Sequence, residues 1–84
     1  MPTPDVIAKV RDLRAELAAA RPASPEAARI ATQIDTVLAE PAHAPHYEGL
    51  GDRLRAEVAG LEGEHPKVAA AMNSVINALL AAGV

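Results

Sequence analysis

This sequence predicts an all-α chain of two antiparallel helical hairpins that form a small four-helix bundle, completed by homo-oligomerisation. Three observations carry that expectation. Pro4, Pro25 and Pro66 each open a segment whose apolar residues recur at threes and fours, the spacing of one helix face. Breaks at Arg21-Pro22, Glu40-Pro41 and Glu64-His65-Pro66 cut the chain into four such segments, because a residue before proline is pushed out of the α region. The chain then stops on Gly83 followed by an apolar Val84, the signature of a left-handed helix cap whose next residue folds back on the last turn.

The first helix starts from Thr3-Pro4-Asp5, which sets a hydroxyl at the cap, proline at the first helical position and an acid in the first turn. Val6, Val10, Leu13, Leu17 and Ala20 form its stripe, with Ile7 beside them, and it ends near Ala20 before Pro22. Ser24-Pro25-Glu26 repeats the opening, and Ala27, Ile30, Ile34 and Val37, flanked by Ala31 and Leu38, make the second stripe up to Glu40-Pro41. A link this short folds the two helices back on each other.

Residues Pro41 to Gly51, with two prolines, two glycines and no apolar period, read as a linker. The third helix follows from about Leu50 to Gly63, with Leu50, Leu54, Val58 and Leu61 on one side. Gly60 and Gly63 each weaken it by up to ~1 kcal/mol relative to alanine. Pro66 starts the fourth helix with His65 near the cap, where it is expected to satisfy the first free N–H groups. Val68, Met72, Val75, Ile76, Leu79 and Leu80 make its buried face. The chain therefore divides as one domain over 1–84, with 3–20 and 24–40 as the first hairpin, 41–50 as linker, and 51–63 and 66–82 as the second.

The core available to this bundle is thin. Among 84 residues there are 20 Ala, 8 Leu, 7 Val and 4 Ile, a single aromatic, Tyr47, and no cysteine. Small side chains bury little area each, at roughly 25 cal/mol per Å², and chains of this size commonly add disulfides, a metal or self-association. With disulfides excluded, self-association is the expected supplement. The net charge of −3, from 8 basic and 11 acidic residues, argues against general nucleic-acid binding, which needs clustered positive charge. Lys9, Arg11, Asp12 and Arg14 interrupt any signal-peptide core. The longest weakly polar run, Ser74 to Val84, falls short of the ~20 residues that span a bilayer. A cytoplasmic protein without membrane association is the expected setting.

The stretch Leu61-Glu62-Gly63-Glu64-His65-Pro66, the following Val68-Ala69-Ala70-Ala71 and the ending Leu79-Leu80-Ala81-Ala82-Gly83-Val84 resemble a family of short bacterial proteins catalogued as domain of unknown function 4404. Members tend to carry a Phe-Glu-x-Glu-His-Pro stretch, an Ala- and Leu-rich helix and a terminal Gly-Ile. Here Leu61 stands where an aromatic is common and Val84 replaces the terminal Ile, both keeping the apolar character. The specific part of the likeness covers Asp52 to Val84, and the first half fits the family's looser pattern of two amphipathic helices. The resemblance implies a small all-helical bacterial protein and brings no catalytic or binding residue with it.

Candidate chemistry is sparse. His43 and His46 form a His-x-x-His in the linker, and His65 stands beside Glu62 and Glu64. Imidazole with carboxylate suits zinc or another first-row metal, yet the spacing matches no closed four-ligand pattern, so these are minor metal candidates and no cofactor is expected. Ser24 reads as a cap and Ser74 has no His or acid at matching spacing, which leaves no nucleophilic triad. Four short Ala-rich helices are poor walls for an enzyme pocket. Arg11, Arg14 and Arg21 share one side of the first helix and are expected to pair with the acids of the third, among Glu48, Asp52, Glu57, Glu62 and Glu64. Asn73 and Asn77, four apart on the fourth helix, are positions that fix register if that helix is an oligomer seam.

The expected role is that of a non-catalytic helical interaction or oligomerisation module. It forms a homo-oligomer or binds an unidentified protein, with Leu13, Leu17, Met72, Val75, Ile76 and Leu79 as interface anchors. A small metal- or ligand-binding regulator using the histidines is the first alternative. An accessory subunit of a larger enzyme complex is the second.

Overall fold

Hydroxyl caps open the first two helices, as the local chemistry requires. In the computed structural model, which describes residues 3–83, Val6 N donates to Thr3 Oγ1 at 3.2 Å and Ala27 N donates to Ser24 Oγ at 3.1 Å. The helices they start are α1, Pro4–Ala20, and α2, Pro25–Ala39; α3 is Leu50–Leu61 and α4 is Pro66–Ala81. One turn of 3-10 helix, Ala44–Tyr47, interrupts the long connection between α2 and α3. No strand occurs among the described residues.

The ends of the helices show where local rules hold and where they bend. α1 stops at Ala20 as expected, but Arg21 ends it in the left-handed region, at φ 47° and ψ 57°, with its N–H donating to Leu17 O at 2.9 Å. A non-glycine residue there costs roughly 1–2 kcal/mol. α3 stops at Leu61, two residues before the expected Gly63. His65 does occupy the position before α4, yet its side chain makes no capping hydrogen bond; its backbone N–H donates to Leu61 O at 2.8 Å instead. Gly83 has φ +73°, the left-handed residue expected after α4. Val84, expected to fold back on Leu79 or Leu80, lies outside the described residues.

The apolar stripes close on one another. Val6, Val10, Leu13 and Leu17 of α1 meet Ile30, Ile34 and Val37 of α2, Leu50, Leu54 and Leu61 of α3, and Val68, Met72, Val75, Ile76 and Leu79 of α4 in one buried cluster. Each helix packs on its chain neighbours, and α1 and α4, first and last, pack most extensively of all. Helices joined by short turns and packed side by side run antiparallel, so the two hairpins close into a four-helix bundle. Its radius of gyration, 11.5 Å, matches the roughly 12 Å of a compact chain of this length. The core is thus closed within one chain.

The connection between α2 and α3 is more than a linker. Tyr47, on its 3-10 turn, is 2% exposed and belongs to the core. Its hydroxyl donates to Pro41 O at 2.7 Å, so a loop carbonyl satisfies the one polar atom of the only aromatic side chain. Gly49, at φ +73°, then turns the chain into α3. In the opposite sense, Leu80, expected on the buried face of α4, is 60% exposed. It lies one residue, or 100° of helical turn, past Leu79, outside the arc that the neighbouring helices cover.

Candidate functional site

The six expected anchors are the natural starting point, and the structure puts all of them inside the chain. Leu13, Leu17, Met72, Val75, Ile76 and Leu79 are each at most 7% exposed and pack against the other helices of the same chain. A folded chain offers none of them as a face to a second molecule. The surface available for contact is what surrounds them.

The charged positions fall into place differently from the expectation. Arg14 Nε lies 2.7 Å from Asp35 Oδ1, an exposed ion pair between α1 and α2, of a kind worth about 0–1 kcal/mol. The expected pairing of the α1 arginines with acids of α3 does not occur, because α1 and α3 lie across the bundle from each other. Within α3, Arg55 pairs with Asp52 at 3.2 Å. Arg11 and Arg21 are exposed and take part in no ion pair among the described residues. A basic pair that periodicity did not bring out, Arg29 of α2 and Arg53 of α3, lines a shallow groove with Thr32 and Gln33.

The histidines separate. His43, just before the 3-10 turn, and His46, on it, are three apart and pack edge to face with ring centroids 4.3 Å apart. His46 Nδ1 is buried there without a hydrogen-bond partner. His65 stands at the other end of the bundle, in a groove with Glu26, Glu57 and Glu64 between the α1–α2 and α3–α4 turns. Among the described residues no group of three His, Asp or Glu side chains is arranged to hold a metal ion. Both serines are occupied locally: Ser24 caps α2, and the Ser74 hydroxyl donates to Ala70 O at 3.1 Å.

What distinguishes one surface from the rest is the outer face of α4. Ala70, Asn73, Ser74, Asn77, Leu80 and Ala81 are exposed along it, and no charged residue follows Lys67 in the sequence. The outer faces of the other helices each carry exposed charges: Asp5, Arg11 and Asp12 on α1, Glu26, Arg29 and Asp35 on α2, Asp52, Arg53 and Arg55 on α3. Leu80 is the large apolar side chain left in water among the described residues. Asn73 and Asn77, singled out by their spacing, both lie on this face. The sequence signal that would have found it is the run of seventeen residues from Val68 to Val84 without a charge, longer than a bundle helix needs for its buried side alone.

No helix among the described residues is long and apolar enough to cross a membrane. Neither the curated proteins nor the solved structures contain a match to the chain. The family model described as Domain of unknown function (DUF4404) matches residues 6–84, from the first buried valine of α1 to the C-terminal residue, well beyond the Asp52–Val84 stretch that carries the most specific motifs. The chain belongs to that family.

Proposed function

We propose that this protein is a non-catalytic helical interaction module of the cytoplasm, and that the outer face of α4 is the surface through which it acts on another protein chain. One observation carries the reading: a helix whose inner face already completes the core keeps an outer face that is charge-free beyond Lys67 and leaves Leu80 60% exposed. Charges are depleted at the centres of protein interfaces and retained on free surface, and the other three helices follow the free-surface pattern. The non-catalytic part is supported by the engagement of both serine hydroxyls with backbone and by the separation of His65 from His43 and His46.

The test is a photoreactive residue in place of Asn77, with Arg11 on the outer face of α1 as the control position, irradiated in growing cells. A discrete adduct from position 77 and none from position 11 is the expected result. Absence of any adduct from position 77 overturns the reading.

The regulator reading keeps one specific observation in its favour, the buried and unpartnered Nδ1 of His46 against the ring of His43. Zinc titration of untagged protein, followed by calorimetry, decides it: stoichiometric binding lost in His43→Ala and His46→Ala alike supports that reading, and no binding removes it.

A further inference from the structure

We propose that the occupant of the α4 face is a second copy of this chain, with the two α4 helices antiparallel about a two-fold axis that passes between Ser74 and Asn77. This rests on the reading above that the face is a contact surface, and it adds the identity and direction of the partner.

A two-fold interface sets one patch against itself, so the patch must be compatible with its own image. A patch carrying a single sign of charge fails that requirement, since like charges are then brought together whatever the register. The α4 face passes, with Ala70, Asn73, Ser74, Asn77, Leu80 and Ala81 exposed and none of them charged. The asparagine amides carry both donors and an acceptor, so they can face polar groups of a second copy without a charge mismatch.

The spacing sets the register. Ala70, Ser74, Asn77 and Ala81 follow one another at four, three and four residues, a pattern that reads the same from either end. Run antiparallel, it brings Ala70 level with Ala81 of the second copy and Ser74 level with Asn77. Small side chains along the centre let the helix axes approach to the roughly 8–10 Å of close packing. Leu80 falls near the level of Ala71 and Asn73 of the second copy, where it leaves water.

The ends of α4 choose the direction. Its first turn contains no acid and carries an exposed Lys67, and its last turn contains no base. Both ends are therefore uncompensated against a helix dipole that is positive at the start and negative at the finish. Antiparallel pairing sets each Lys67 beside the last-turn carbonyls of the other copy and compensates both ends. Parallel pairing would stack like ends together.

Light scattering of the untagged full chain over a dilution series reads the assembly, and variants read the face. The wild type is expected as a dimer that dissociates on dilution. Asn77→Lys sets like charges beside the axis and raises the dimer Kd roughly tenfold or more, since opposed like charges are strongly disfavoured in an interface. Arg11→Glu, on the outer face of α1, leaves the dimer unchanged. Circular dichroism of the dilute variants confirms that they remain folded, as their sites are exposed. Direction is read by single cysteines in a chain that otherwise has none. Asn77→Cys lies near the axis and forms a disulfide dimer. Ala81→Cys does not, because in the antiparallel register its mate is eleven residues away, about 16 Å along the helix, beyond the roughly 7 Å limit for a disulfide.

A wild type that is monomeric at every concentration overturns the proposal, as does a dimer indifferent to Asn77→Lys. Disulfide formation through Ala81→Cys overturns the antiparallel arrangement. In cells, the adduct from position 77 is expected at about twice the 8.7 kDa chain mass. An adduct to a different protein or to lipid overturns the second copy as occupant and leaves the contact face standing.

Discussion

Tyr47 and Leu80 are both large side chains in a protein built mainly of small ones, and the fold treats them oppositely. Tyr47 sits on a connecting turn and is 2% exposed; Leu80 sits on the helix with the most apolar sequence and is 60% exposed. Burial here is decided by which direction a side chain leaves the backbone, and only secondarily by the element it belongs to. The 3-10 turn holds Tyr47 against α2 and α3, and its one polar atom finds the Pro41 carbonyl at 2.7 Å. Leu80 leaves α4 on the side away from the helices that cover Met72, Val75 and Leu79.

The contrast is broken most severely at the tyrosine. Tyr47→Ala should cost about 3–5 kcal/mol, as deletion of a buried aromatic side chain does, measured by urea unfolding monitored at the helical circular dichroism band. A loss below about 1 kcal/mol would mean that the turn does not anchor the bundle. Next in size, Gly49→Ala forces a side chain into a backbone at φ +73°, and about 1–2 kcal/mol should be lost even though a Cβ there meets no neighbour within 4 Å. That result would show that the turn is held by its own geometry as well as by its tyrosine.

Tyr47→Phe is milder. It keeps the ring and removes the bond to Pro41 O, for about 1 kcal/mol. It also isolates a pH effect. Burial pushes the Tyr47 phenol above its ordinary value, because the charged phenolate is poorly accommodated in the core. A group whose pKa is raised on folding contributes stability in full below its unfolded value, about 10, and that contribution is lost as pH rises through the folded value. The melting temperature of the wild type should therefore fall more steeply than that of Tyr47→Phe above about pH 10; parallel curves would exclude ionisation of Tyr47 as a cause. The smallest effect on stability is expected from Leu80→Ala, within about 0.5 kcal/mol as for other exposed positions when measured at concentrations where the chain is monomeric. Its consequence should appear in association instead.

Much of the bundle was legible in the sequence, and the reasons are local. Thr3 and Ser24 lie next to the N–H groups they cap, so no tertiary information was needed to place the starts of α1 and α2. The buried residues of α1 and α2 follow from helical period alone, since a regular helix carries its spacing with it. The left-handed Arg21 was not legible: proline at the next position favours an extended residue there, and the tight return into α2 selects another conformation. Tyr47 stood in a stretch with no period to read, and a single aromatic residue in a loop gives no sign of which way it faces. The neutral face of α4 was half legible. Spacing places Asn73 and Asn77 on one side, but Leu80 adjoins Leu79, and the apolar pattern does not separate the two.

Capping, proline geometry and helical period act over a few residues, so the four α-helices, their starts and the inner stripes of α1 and α2 follow from local sequence. That α1 packs on α4 and lies across from α3, that Arg14 reaches Asp35 on α2, that Tyr47 enters the core and that Leu80 stays in water are results of the packing of the whole chain. Those outcomes depend on how four helices share one small volume. Each helix can cover only part of its neighbour's surface, and which part is settled by all four packing at once.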